Sequence, residues 1–243
     1  MNFILDIHCH TISSSHAYST ITENAAHAAS IGLTHIGISD HGPALPGGAH
    51  RYHFMNLVAL PDFIHGVRVL KGIEANILNS HGELDFPDNG LARLDYVIAS
   101  KHREVYISAD CAANTAALVN AMENPHVHII GHPINVIYDI DIEAVIKAAA
   151  KTRTIIEVNN NSLIPGSFRY NGTEPYIDML KLCKEHDVKI LASSDAHYHT
   201  AVGNFDRAKP LIEASGISDE NIVNTCIERL FSAIKAKKEL MSV

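Results

Sequence analysis

The feature that most restricts this chain is a repeated unit: a short β-branched, apolar run, a polar residue at its end, then a helix-like stretch. Seven such runs are read at residues 2–7, 34–39, 67–73, 96–100, 128–131, 154–159 and 189–193. They are nearly continuous in hydrophobicity rather than alternating, as expected for strands covered on both faces. Helices are expected at 22–31, where a Thr22-Glu23 pair suits the start and Gly32 the stop. Others are expected at 55–65 (with Pro61 near its start or at a kink), 115–123, 141–151 and 174–186. A last long helix runs from Ser218 to about 238, with Leu230, Phe231 and Ile234 on one side. Strands alternating with helices imply an α/β fold with a largely parallel sheet. Closure into a distorted, TIM-like β/α barrel is expected, irregular because it has seven strands rather than eight, as a single domain over residues 1–243.

Composition narrows the function. With 243 residues, 47% hydrophobic and 19% charged, the chain is globular and can bury a sizeable core, filled by small side chains since Trp is absent. No apolar run approaches the roughly 18 to 20 residues of a membrane span. The N-terminus MNFILDIHCH lacks a basic region and meets Asp6, so no signal peptide is expected. Cys9, Cys111, Cys183 and Cys226 are scattered with no C-x-x-C, which reads as reduced thiols in a cytoplasmic protein. A net charge of −8 without a Lys/Arg block argues against nucleic acid as a partner. Histidine, at 17 residues, is in excess.

Those histidines fall where the runs end. The first run ends in His8-Cys9-His10, the second in Asp40-His41, the third in Glu74, the fourth in His102, the fifth in His132 and the seventh in Asp195-Ala196-His197. Parallel strands gather their C-terminal ends on one face, so these side chains converge from distant positions. On an extended segment His8 and His10 share a side, as do Asp195 and His197, while Cys9 and Ala196 point into packing. Imidazole mixed with carboxylate suits Zn, Mn or Fe. One Zn takes about four ligands, and these ends supply more, with His16 adding another. A multinuclear centre follows.

In order along essentially the whole chain, D-I-H-C-H-T with His16, I-S-D-H-G-P at 38–43, G-I-E-A-N at 72–76, K-H at 101–102, G-H-P at 131–133 and S-D-A-H at 194–197 resemble the PHP (polymerase and histidinol phosphatase) family. H-A-Y-S-T at 16–20 and N-N-N-S at 159–162 add a resemblance to its YcdX-like phosphatases. The resemblance implies a distorted seven-stranded barrel with three divalent metal ions, Zn in first place and Mn or Fe as alternatives. It implies His8, His10, Glu74 and Asp195 on one metal, Glu74, His102 and His132 on a second, and His16, His41 and His197 on the third. Asp40 is expected behind a ligand imidazole, orienting it. The implied activity is phosphomonoester hydrolysis by a metal-bridging hydroxide, with no further catalytic side chain assigned. Arg169, Arg103, His50 and His53 are candidates for binding a small phosphorylated substrate, and self-association stays open. Two other readings compete. A PHP-type nuclease would need basic stripes and stacking aromatics, and a non-catalytic metal-binding module sits poorly with a complete ligand set. Of the remaining histidines, 27, 65 and 186 belong to helices and 35, 126 and 128 to strand starts, the wrong end of a barrel for chemistry.

Overall fold

In the computed structural model, which describes residues 1–241, the chain forms β1 (Leu5–Cys9), β2 (His35–Ile38), β3 (Phe63–Ile64), β4 (Val67–Asn76), β5 (Tyr96–Ser100), β6 (Ile129–Ile130), β7 (Ile155–Asn159) and β8 (Ile190–Ser193), all but β3 arising from the seven apolar runs. Seven of them pair in parallel in the order β1-β2-β4-β5-β6-β7-β8, and β3 pairs antiparallel with β4. Beyond β8 the chain returns to β1: Cys9 bridges Ala196, and the His10 N–H donates to the Ala196 carbonyl at 2.8 Å. The result is the expected α/β architecture, a nearly closed seven-stranded barrel.

Helices α1 (Ile21–Ser30), α2 (Arg51–Asn56), α3 (Asp88–Leu91), α4 (Cys111–Met122), α5 (Ile142–Thr152), α6 (Glu174–Glu185), α7 (Ala208–Ser215) and α8 (Ile227–Met241) complete the fold. The starts of α1, α2, α4 and α5 are set by side chains that accept otherwise unpaired N–H groups. Thr20 and Glu23 form a capping box on α1, and Asp110 and Asp141 cap α4 and α5. Among the described residues, no helix is long and apolar enough to cross a membrane.

Leu5, Ile7, Tyr96, Ile98, Ile129, Ile155 and Leu191 pack inside the barrel with Ile227, Leu230 and Ile234 of α8. Lys237 of α8 donates to the Met122 carbonyl at the end of α4 and to the Thr154 hydroxyl just before β7, so α8 closes the N-terminal end. Full burial of each such Leu or Ile stabilises by about 1.5–3 kcal/mol, so Leu230→Ala removes one of the main contacts of the plug. Gly37 and Gly72 make room for the buried Tyr96 ring: a Cβ on Gly72 would lie 2.3 Å from it. The Tyr96 hydroxyl donates to the Ile7 carbonyl at 2.7 Å.

Register between β1 and β2 shifts between Asp6 and Cys9. This bulge lets Ile7 and His8 both face inward, while Cys9 packs with Ala196, Ala25 and Ala28 in the outer layer. The shared direction expected for His8 and His10 is found, and so is the outward turn of Cys9 and Ala196.

Several local expectations are corrected. Residues 55–65 are not one helix. α2 ends at Asn56, one 3-10 turn follows, and Phe63–Ile64 turns back on β4 through His65 and Gly66 at φ 50° and 81°. Two residues of positive φ make a tight hairpin turn, which overrides the helical spacing. α7 and α3 were not anticipated, and the last helix begins at Ile227 rather than Ser218, after two 3-10 turns. Phe231 is not core: it is 36% exposed, with Arg68 lying over its ring.

Candidate metal centre

Six of the seven parallel strands deliver one or two side chains at their ends to a single point at the open end of the barrel. β1 brings His8 and His10, β4 brings Glu74, and the segments after β2, β5, β6 and β8 bring His41, His102, His132, Asp195 and His197. The loop after β1 brings His16. All nine sequence-predicted ligands therefore meet.

Glu74 is the hub. Its Oε1 lies 2.9 Å from His132 Nε2, 3.3 Å from His102 Nε2 and 3.4 Å from His8 Nε2. Its Oε2 lies 2.6 Å from His41 Nδ1 and 3.7 Å from His10 Nε2. Asp195 Oδ1 lies 3.1 Å from His10 Nε2 and 3.8 Å from His8 Nε2. Farther out, His16 Nε2 lies 3.3 Å from His41 Nε2 and 3.0 Å from His197 Nε2.

This arrangement fits cations. Nε2 of His8 and His102, Nδ1 of His10 and His41, and Oε2 of Glu74 are buried without a hydrogen-bond partner. Each such atom costs about 1–3 kcal/mol if left unpaired, and protein interiors seldom leave one. Those around Glu74 are accounted for if their lone pairs are shared with metal, whereas His10 turns Nε2 rather than Nδ1 to Glu74 and Asp195. Ligand atoms around a tetrahedral Zn with bonds of about 2.0–2.1 Å sit roughly 3.3 Å apart, close to the separations around Glu74. Three overlapping groups meet the ligand geometry: His8–His10–Glu74, His41–Glu74–His102 and His10–His41–His197.

Protonation states agree. Burial and the imidazoles of His41 and His197 push His10 well below its usual value, and His16 down to about 4. Burial, helped by Arg169, takes His132 down to about 4, and burial lowers His197. Burial alone would lower His8, but the carboxylates of Glu157, Glu74 and Asp195 hold it well above its usual range. Burial would raise Glu74 and Asp195, yet surrounding imidazoles and, for Asp195, Arg169 hold both well below theirs. Ionised carboxylates and neutral imidazoles are the forms that coordinate metal; at His8, where the carboxylates favour the protonated ring, a bound cation takes the place of the proton.

The backbone is strained at two of these positions. His132 and Asp195 adopt φ of 28° and 54°, a region costing of order 1–3 kcal/mol for a residue with a side chain. His132 is held by its N–H donating to Glu157 Oε2 at 2.6 Å, and Asp195 by Arg169 and by Asn159 Nδ2 at 3.3 Å.

Sequence reading missed Glu157. Wholly buried inside β7, it accepts from His8 Nδ1 at 2.5 Å and from Ser193 and Asn159. The signal was there, since Glu157 is the one charged residue of the run I-I-E-V-N. Asn76, bonded to His102 Nδ1 at 2.7 Å, was missed as well. Asp40 does not orient a ligand imidazole. It accepts from the Thr11 N–H and hydroxyl and the Ser14 hydroxyl at 2.7–2.8 Å and lies 3.0 Å from His53 Nε2. Successive residues of an extended segment point to opposite sides, so Asp40 faces the loop carrying His16 while His41 faces the centre.

The substrate candidates divide. Arg169 is buried and paired through Nη2 to Asp195, so it joins the centre. His53 is committed to Asp40 at the rim. His50 does not reach the centre; it is exposed, and its Nδ1 caps α2 by accepting from the Tyr52 N–H at 3.2 Å. Arg103 is also exposed, pairing with Glu104 and lying 5.5 Å from the Phe168 ring centroid.

The chain is similar to several known proteins. The PHP domain family profile matches residues 6–241. A protein of Thermoanaerobacter sp. named a probable phosphatase is 47% identical over 239 residues, 98% of this chain and 97% of its own. A probable phosphatase of Clostridium novyi is 40% identical over 240 residues, 99% of this chain and 98% of its own. A histidinol phosphate phosphatase from Lactococcus lactis, solved with Zn, L-histidinol and phosphate, shares the fold. Its TM-score is 0.61 at 18% identity, over 88% of this chain and 94% of that one.

Proposed function

The chain belongs to the PHP domain family, and on that premise we propose that it is a metal-dependent phosphatase acting on small phosphomonoesters. The observation that carries the proposal is the convergence on Glu74 of buried imidazoles whose ring nitrogens have no other partner. We assign His8, His10, Glu74 and Asp195 to one ion, His102 and His132 with Glu74 to a second, and His16, His41 and His197 to a third, with Zn as the first choice. When bound, divalent ions supply a nucleophilic water at neutral pH and neutralise phosphoryl charge.

The chain's own residues do the rest. Glu157 accepts from His8 Nδ1, which turns the Nε2 lone pair towards Glu74 and Asp195. Arg169 holds Asp195 with one nitrogen and keeps its buried Nε without a protein partner. A phosphoryl oxygen beside Asp195 gives that guanidinium a charge-assisted contact. Phe168, 57% exposed and 5.1 Å from the Arg169 guanidinium, offers an apolar edge to the alcohol portion. Four free cysteines fit a cytoplasmic setting.

The test is a panel of phosphomonoesters and oligonucleotides assayed on chelator-stripped protein reloaded with Zn or Mn. Activity on monoesters, absent from stripped protein and regained with metal, is expected. Preference for oligonucleotides would replace this reading with a nuclease. Less than one metal per chain after reloading would remove the centre altogether.

A further inference from the structure

His41, Glu74 and His102 form one of the ligand groups, and a residue that touches none of their side chains ties all three together. Asp85 follows a tight excursion after β4, in which Ile77 pairs antiparallel with Leu84. Its Oδ1 accepts from the Asn76 N–H at 2.8 Å. Its Oδ2 accepts from Asn76 Nδ2 at 2.5 Å and from the Ala44 N–H at 2.9 Å. Asn76 Nδ2 also donates to the Gly42 carbonyl at 3.2 Å, and the Gly42 N–H donates to the Glu74 carbonyl at 2.8 Å. The approach is close enough to require glycine: a Cβ on Gly42 would lie 2.4 Å from Asp85 Oδ2.

The chemistry of these contacts leaves no freedom. The Asn76 amide nitrogen sits between a carboxylate and a carbonyl, which only accept, so the amide cannot be turned over. Its oxygen therefore faces His102 Nδ1, 2.7 Å away. An amide oxygen cannot donate, so His102 Nδ1 must carry a proton, and in the neutral ring that a metal binds the lone pair is then on Nε2. That Nε2 is the buried atom without a hydrogen-bond partner, 3.3 Å from Glu74 Oε1.

We propose that Asp85 is a positioning residue for the ion assigned to Glu74, His102 and His132. Acting through Asn76, it fixes the tautomer and direction of His102. Acting through Gly42 and Ala44, it pins the segment carrying His41 against the end of β4 that carries Glu74. The inference rests on the reading of this cluster as a metal centre.

Two measurements on the full chain test it. In zinc-loaded protein labelled with 15N-histidine, His102 is expected to be protonated at Nδ1 and metal-bound at Nε2; the opposite tautomer overturns the proposal. In chelator competition, Asp85→Asn is expected to weaken one zinc equivalent about 10- to 100-fold, the scale of lost outer partners of metal ligands. Asn76→Leu is expected to weaken the same equivalent at least as much, and the double variant no further, because Asp85 acts through Asn76. Unchanged zinc affinities in Asp85→Asn, or equal weakening of every equivalent, overturn the proposal while leaving the metal centre standing. A wild-type chain that takes up no zinc overturns both. Should Asp85→Asn fail to fold, the wild-type tautomer decides.

Discussion

The two ends of the barrel bury polar groups in opposite ways. At the sealed end, Lys237 is wholly buried yet donates to two acceptors, Met122 O at 2.7 Å and Thr154 Oγ1 at 2.6 Å. At the open end, Glu74 is as deeply buried, but it and the imidazoles around it leave five atoms without hydrogen-bond partners. The sealed end is not free of such atoms: His128 accepts from the Val97 N–H at 3.1 Å and leaves Nε2 without a partner. His126 Nδ1 is unpartnered there too, but among the described residues neither histidine belongs to a group of ligand atoms that could hold an ion. Burial alone therefore does not mark a functional site in this fold. Convergence of unpaired lone pairs does, and the strained φ of His132 and Asp195 occurs at the same end.

The largest effect expected from this contrast is at Glu74. Glu74→Gln keeps the shape but removes the charge shared by the surrounding imidazoles. Metal content should fall, and kcat/KM should drop about 10^3-fold or more, which is several kcal/mol at about 1.36 kcal/mol per decade. His16, on the outermost group and exposed, should cost less when changed to Ala. Equal, mild losses at both positions would break the view of Glu74 as the hub.

Lys237→Met should instead act on stability. It leaves the Met122 carbonyl unpaired, for an expected loss of about 1–3 kcal/mol. For a chain of this size that lowers Tm by about 2–4 °C per kcal/mol. Zinc content and activity per folded molecule should not change. A fall in bound zinc would show that the two ends are coupled through the barrel, and would end the comparison.

The pH dependence should separate the ends further. His16 and His132 are lowered from 6.5 to about 4 in the folded chain. Between those values the unfolded chain binds more protons, so stability rises with pH across about 4 to 6.5 and is lost as pH falls. Burial lowers Lys237 from 10.5 to about 7, which gives the same sign in a separate window, from about pH 7 to 10.5. His8, raised by its three carboxylates, works in the opposite sense above 6.5. Urea titrations across pH should show both limbs in apo-protein. Zinc should steepen the acid limb, since protons compete for ligand nitrogens, and Lys237→Met should remove only the alkaline rise. An acid limb altered by Lys237→Met would contradict this division.

The open end was far more legible in sequence than the parts that support it. Eight of the nine candidate ligands could be read because residue type and place agree: His, Asp or Glu at the end of an apolar run, with a period of two orienting His8 and His10 together; His16, in the loop after β1, was legible only as part of the family motif. Glu157, Asn76 and Asp85 could not be read the same way. Glu157 meets His8 across 149 residues, and Asn76 meets His102 across 26, so only the closed barrel reveals either pairing. Asp40 misled through adjacency to His41, although neighbours on an extended chain face apart. The segment between β2 and β4 misled for another reason: an apparent helical spacing over 55–65 competed with the His65-Gly66 turn, and the turn won.

The smallest expected effect sharpens the comparison at the rim of the open end. Arg169 and Arg103 both lie against Phe168, at 5.1 and 5.5 Å from its ring centroid. Only Arg169 is buried and paired with a candidate ligand; Arg103 pairs with Glu104 in solvent, where such a contact is worth about 1 kcal/mol or less. Arg169→Met removes the counter-charge of Asp195 and should reduce kcat/KM about 10- to 100-fold, as for other partners of metal ligands. Arg103→Ala should leave zinc affinity unchanged and shift kcat/KM by no more than about fivefold, the kinetic equivalent of 1 kcal/mol. Steady-state kinetics on one monoester with both variants decides the matter. If Arg103→Ala matched the loss in Arg169→Met through KM alone, the substrate would reach past the buried centre to the exposed rim. Recognition would then be shared between a region built by burial and one built in solvent.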